Sequence, residues 1–201
     1  VAEHAGTQLV PVGHDLGAFH DGVGGHCHQV RVGAEIVELD VTRHDVWTAA
    51  HGTIGADGVA APATEEALRS VHGDESVTEL MAKRLIARTT PSDEFAATHR
   101  LVPLVLGLGN TVEEPWLFAA GLLYQPVVMM TGAVYDLWQW AHLSPDLRSA
   151  CHESAKAATQ AGVTDVEQTD PDRVLTGALA SLPQLVAARA ACFDVRIEGV
   201  G

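Results

Sequence analysis

The chain has 201 residues, 47% of them hydrophobic and 19% charged, enough for one large domain or two of roughly 100 residues each. Its formal net charge is −14, from 26 acidic and 12 basic residues, and such a surface repels a phosphate backbone and disfavours nonspecific nucleic-acid binding. Cys27, Cys151 and Cys192 form no disulfide framework, and VAEHAGTQ at the start lacks a basic stretch and an apolar run, so a reduced, cytoplasmic protein without a signal peptide is expected.

In chain order, LVPVGHDLG (9–17) opens on an apolar run, and it returns as LVPLVLGLG (101–109). Leu9, Val10, Pro11, Leu16 and Gly17 recur as Leu101, Val102, Pro103, Leu108 and Gly109 at a shift of 92. After one lost residue the shift is 91, and Asp45, Trp47, Ala50 and His51 recur as Asp136, Trp138, Ala141 and His142. Two blocks in register with a single gap mark an internal duplication of domain size. It divides the chain into residues 1–98 and 99–201. Both parts are acidic: 14 acids against 6 bases from Leu9 to Thr98, and 11 against 6 from His99 onward.

HQVRVG (28–33) and AEIVELD (34–40) alternate polar and apolar residues, which predicts a hairpin turning near Gly33. A helix follows, capped by Thr42, with Asp45 near its positive end. Trp47, Ala50 and His51 fall on one helix face. In this reading the repeated DxWxxAH is structural: Asp supports the helix start, Trp anchors the core, Ala permits close packing and His ends the helix. The functional alternative is a pocket lined by Trp and His. TEEALRSVH (64–72) is a helix capped by Thr64. SVTELMAKRL (76–85) is another, with Ser76 and Glu79 as a capping box. LIART (85–89) and EFAATHRLVPL (94–104) read as two strands around a TPSD turn.

The second part repeats the plan. PVVMM (126–130) is a strand, VYDLWQWAH (134–142) a helix, SPDLRSACHESAKAATQAG (144–162) a longer one and DPDRVLTGALASLPQLV (170–186) a third. AARAACFDVRIEG (187–199) is a strand region. Pro171 suits a first helical turn, while Pro183 is expected to bend or end its helix. Pro115 to Tyr135 carries no charge and has the length of a membrane span, but Gln125-Pro126 breaks it and its counterpart in the first part is polar. No membrane insertion is expected. The segment is instead assigned to an inter-repeat contact or a homodimer face.

Three helices followed by a two-stranded wing resemble the winged helix-turn-helix superfamily. The residues that carry the likeness are VELDVTRHDVWTAAHG (37–52), VTELMAKRLIAR (77–88) and PVVMMTGAVYDLWQWAH (126–142). The leading hairpin is similar to PqqD-type domains, which serve as recognition elements for leader peptides of ribosomally made, modified peptides. The chain departs from that type in having two copies and longer loops between the first two helices. The expected fold is therefore α+β: two tandem winged-helix-like repeats, each a β-hairpin, three helices and a small wing.

The expected function is non-enzymatic recognition of a protein or peptide. A strand edge and the third-helix face near Val37, Leu39, Leu80 and Arg84 would take up an extended segment, and the acidic surface favours a basic partner. The alternative is a DNA-binding regulator that uses Lys83, Arg84 and Arg88, a thin basic footprint in an acidic domain. A third reading is metal binding through GGHCHQ (24–29), where His26 and His28 share a strand face and His14 or His20 could add a ligand; neither CxxC nor HExxH accompanies them. Cys151 and His152 are adjacent on a helix and point apart, so they form no thiolate–imidazole pair. GLGNT (107–111) lacks a complete nucleotide-loop pattern and is expected as a turn. The doublets Glu65-Glu66 and Glu113-Glu114 are expected on a solvated face. No cofactor is called for.

Overall fold

The computed structural model describes residues 7–198. The first half runs β1 (Gln8–Pro11), β2 (His14–His20), β3 (His26–Val32), β4 (Glu35–Leu39), α1 (Val41–Ala49), the short strands β5 (Thr53–Ile54), β6 (Ala60–Ala61) and β7 (Ala63–Thr64), α2 (Glu65–His72), α3 (Asp74–Ala82) and β8 (Ile86–Arg88). Helix α4 (Ser92–Thr98) leads into β9 (His99–Pro103), β10 (Leu106–Gly109), β11 (Leu117–Leu122), β12 (Gln125–Thr131) and α5 (Gly132–Trp140). A 3-10 turn (Ala141–Leu143), α6 (Leu147–Gln160), α7 (Val166–Thr169), α8 (Pro171–Ala187) and β13 (Ala191–Val195) complete the chain. The class is mixed α+β, with small antiparallel sheets ordered β2-β3-β4, β10-β11-β12, β7-β1-β8 and β13-β9, and the two-stranded β5-β6.

The same order thus occurs twice: a first strand, a three-stranded meander, helices, and a last strand that returns to pair with the first. Equivalent residues occupy equivalent pairs. Leu9 faces Arg88 and Leu101 faces Phe193; Pro11 faces Ile86 and Pro103 faces Ala191. The repeated Leu-Gly is a duplicated β-bulge. The register slips between Asp15 and Gly17 and again between Gly107 and Gly109. Gly17 (φ 85°) and Gly109 (φ 77°) hold the left-handed backbone such a bulge needs. GLGN is therefore strand and bulge rather than a turn.

Two cores result. Leu9, Leu39, Val46, Trp47, Val77 and Leu80 fill the first; Leu101, Trp138, Leu147, Leu182 and Phe193 belong to the second, which also takes in Val10 of β1 and Val12 just after it. The repeated tryptophans act alike. Trp47 donates its indole N–H to the carbonyl of Val12 at 3.1 Å, and Trp138 donates to Ala190 at 3.0 Å, so each ties its helix to the end of a strand pair. Ala50 and Ala141 are buried, whereas Asp45 and Asp136 are exposed. Asp45 lies beyond the first helical turn and does not support the helix start, because the cap is Asp40, which accepts from the Arg43 amide. Thr42 is inside the helix.

Other expectations are corrected by packing. Helix α3 begins at Asp74, with Gly73 before it and no side-chain cap. Glu79 does not complete a capping box; it binds Arg43 of α1 at 2.7 Å and Lys83 at 2.9 Å. Residues 92–98 are helical rather than the first part of a strand. This turn places Phe95 edge-on to Phe193, with ring centroids 4.9 Å apart, a tertiary contact that overrides local pattern. The expected wing hairpin between 85–89 and 94–104 is absent, since β8 pairs with β1 and β9 with β13. Pro171 stands at the start of α8, and Pro183 lies within the helix, which continues to Ala187. The hairpin at Gly33 and the Thr64 cap of α2 match expectation. No helix among the described residues is long and apolar enough to cross a membrane.

Candidate functional site

A cleft of about 1200 Å³ opens where the two halves meet. Its walls are the β3–β4 turn and β4 (Val32, Glu35, Val37), the C-terminal end of α3 with β8 (Met81 to Arg88), α4 with the start of β9 (Phe95, His99, Arg100), and the tail of β13 (Asp194 to Glu198). Residues alternate along β4, so Glu35, Val37 and Leu39 share a face. Val37 reaches the cleft, while Leu39 is fully buried in the first core.

Asp194 holds one wall together. This side chain is buried near the end of an otherwise apolar strand, after the buried Ala191, Cys192 and Phe193. Its carboxylate accepts from the Gly33 amide at 2.7 Å, its own neighbour Val195 at 2.9 Å, Arg100 at 3.2 Å and Arg31 at 3.5 Å. Strand β13 of the second half thereby fixes the β3–β4 turn of the first. A second tie lies nearby: Val12 bridges Phe193, and the Gly13 amide donates to the Phe193 carbonyl at 2.7 Å.

Charge in the cleft is unevenly satisfied. Lys83 is paired with Glu79, Arg88 with Glu65, Arg100 with Asp194 and Arg196 with Asp146. The Arg88 and Arg69 guanidinium groups hold the Glu65 carboxyl at about 2, and Arg43 and Lys83 do the same for Glu79, so both stay ionised. Among the described residues, Arg84 has no ion-pair partner, and neither do the cleft carboxylates Glu35, Glu94 and Glu198. Three free carboxylates face one free cation. His99, stacked on Phe95, has its pKa lowered by burial.

The expected site residues divide. Val37 and Arg84 line the cleft together, as do Lys83 and Arg88. Leu39 and Leu80 have no exposed surface and lie in the first core, where they can position the walls but touch no partner. His26 and His28 do share a face of the β2–β3 sheet, but His14, which pairs with Arg31, is on the opposite face. His28 stacks instead on His44 of α1, with ring centroids 3.7 Å apart. Among the described residues no group of three or more His, Cys, Asp or Glu could hold a metal ion.

Trp47, His51, Trp138 and His142 line no part of the cleft. His51 packs edge-on to Trp47, and burial lowers its pKa to about 4. It is neutral, so it does not act as a cation at the helix end. Burial pushes the Cys151 and Cys192 thiols up to about 12, which leaves them protonated and inert as nucleophiles; His152 is exposed beside a buried Cys151. Asp194, Arg100, Glu35 and Glu94 did not stand out in the sequence. The one available signal was a lone acid, Asp194, in the apolar run ACFDV.

Comparison of the chain with family models, curated proteins and solved structures finds no match.

Proposed function

We propose that the chain is a non-enzymatic recognition protein whose cleft takes up an extended, basic and partly apolar segment of another protein or a peptide. The observation that carries this reading is the junction of an unpaired strand edge with unneutralised carboxylates. Among the described residues β4 pairs with β3 alone, so a segment laid along its other edge gains backbone hydrogen bonds. Val37, Met81 and Ile197 offer apolar contact, Glu35, Glu94 and Glu198 favour Lys or Arg, and Arg84 is free to meet a carboxylate or chain terminus. In the same reading each half is a variation on the winged-helix plan, divided near residue 98, with a meander in place of the leading hairpin and the first–last strand pair as its wing.

DNA binding is the weaker alternative. Two of its three candidate cations are held by carboxylates, Lys83 by Glu79 and Arg88 by Glu65, which leaves Arg84 alone for a phosphate.

The test is selection from a displayed library of unstructured peptides, with the selected sequences titrated calorimetrically. Basic residues alternating with apolar ones are expected among the binders. Val37→Asp and Glu35→Lys should each weaken binding by about tenfold or more, while Ile36→Lys on the opposite strand face leaves it intact. Selection of no peptide, or binding indifferent to Val37 and Glu35, overturns the reading. A salt-sensitive shift of duplex DNA lost in Arg84→Ala would instead favour the alternative.

A further inference from the structure

The β10-β11-β12 sheet ends in an edge with no strand beside it among the described residues. β12 pairs with β11 and has no strand on its other side. Val128 and Met130 point into the core, whereas Val127 and Met129 face outward, 40% and 44% exposed. The β11–β12 turn presents Leu123 and Tyr124 at 64% and 89% exposure. Tyr124 sits at φ 64°, a left-handed conformation that a side-chain-bearing residue rarely adopts. The corresponding turn of the first half uses Gly33 there, at φ 58°.

Charge sets this edge apart from the rest of the molecule. Pro115 to Tyr135 contains no charged residue in a chain of net charge −14, while strands β3 and β4 of the first half carry Arg31, Glu35 and Glu38. Proteins ordinarily guard a sheet edge with charge, brevity or a covering segment. Like charge opposes contact between two copies over most of this surface, and opposes it least here. A basic partner would gain nothing from an uncharged strand.

We infer that β12 pairs antiparallel with β12 of a second copy about a two-fold axis, joining the two meanders into one six-stranded sheet. Pro126 lies at the bulge beside Gly121 and lacks an amide hydrogen, so the pairing runs over Val127 to Thr131. Val127 and Met129 of both copies then form one continuous apolar strip. The inference stands independently of the cleft, which lies on other elements.

Sedimentation of the full chain over about 1–100 μM, a range that spans ordinary homodimer affinities, should show the mass rising to that of a dimer. With the two-fold axis at Met129, Met129→Lys places like charges directly opposite one another and Val127→Lys sets a charge into the apolar strip beside Thr131 of the other copy, and each should raise the dissociation constant by about tenfold or more. Both side chains point to solvent in the monomer, so circular dichroism should be unchanged. Ile36→Lys, on the exposed face of the other meander, should leave the dimer intact. A chain monomeric throughout, a dimer that survives both lysines, or one lost equally in Ile36→Lys overturns the inference. So does a monomer that instead co-floats with zwitterionic phospholipid vesicles through Leu123 and Tyr124.

Discussion

Replacing Asp194 tests whether the cleft wall is held as described. In Asp194→Ala, the amides of Gly33 and Val195 and the guanidinium groups of Arg31 and Arg100 lose their shared acceptor. The Asp194 and Arg100 side chains are only 2% and 17% exposed, against 36% for Arg31. The Arg31 arm can rehydrate and contributes within the surface range of about 0–1 kcal/mol. The Arg100 arm is largely shielded, where severing a buried pair costs about 3–5 kcal/mol, and the half-buried Gly33 amide loses its acceptor at a cost toward the low end of about 1–3 kcal/mol. These terms overlap, and a total near 4 kcal/mol is expected for Asp194→Ala. Asp194→Asn keeps an acceptor oxygen for the two amides and should lose about half as much. In urea, with a slope of about 2–3 kcal/mol/M for a chain of this size, the midpoint falls by about 1.5 M in the alanine variant. Tryptophan fluorescence and circular dichroism recorded together check that the transition stays cooperative. A loss below about 1 kcal/mol for alanine, or equal losses for alanine and asparagine, refutes the reasoning.

Three further outcomes follow from the same structure. The His51 pKa, about 4 when folded against an ordinary 6.5, means that the unfolded chain binds this proton first. Its contribution is complete above pH 6.5 and drains by about 3 kcal/mol in total as pH falls toward 4, with His44 and His99 acting in the same direction, and His51→Gln should flatten a melting-temperature profile over that window. Below about pH 4.5 the Glu65 and Glu79 ion pairs should fail next, because their lowered pKa values make stability fall from the ordinary value down to about 2. Arg84 and Arg189 both sit at positive φ one residue after the last turns of α3 and α8, so Arg84→Gly should raise stability by about 0.5–1 kcal/mol in a thermal melt while weakening capture of a peptide carboxylate. A thiol reagent should label Cys27 alone in the native chain, slowly because burial and Glu38 raise its pKa, and all three cysteines in denaturant; rapid native labelling of Cys151 or Cys192 would contradict their burial.

What could be read from the sequence was what repeats or what is local. The repeated LVP and Leu-Gly segments, the Gly33 hairpin and the Thr64 cap each have a short-range signature and take equivalent or expected places, although the second Leu-Gly reads as a turn and is a bulge. Segment 94–104 misled because Phe95 must turn inward to meet Phe193, nearly a hundred residues away in the chain. Ser76 with Glu79 looked like a capping box, yet Glu79 is drawn to Arg43 on another helix. Two of the four expected binding residues, Leu39 and Leu80, lie in the first core for a similar reason. Strand alternation puts Val37 and Leu39 on one face but does not say where the first core ends and the cleft begins. The cleft draws on three separate stretches, around residues 32–37, 81–100 and 194–198, and no local pattern joins them.

The tie between Gly33 and Asp194 also constrains the order of events during synthesis. The β3–β4 turn leaves the ribosome early, but the carboxylate that anchors it is added more than 160 residues later. Until β13 emerges, the first core can collapse around Trp47 while the cleft wall remains unbuilt and Arg100 has no buried counter-charge. A ribosome stalled before Asp194 would therefore display a collapsed first core with the Gly33 turn unanchored.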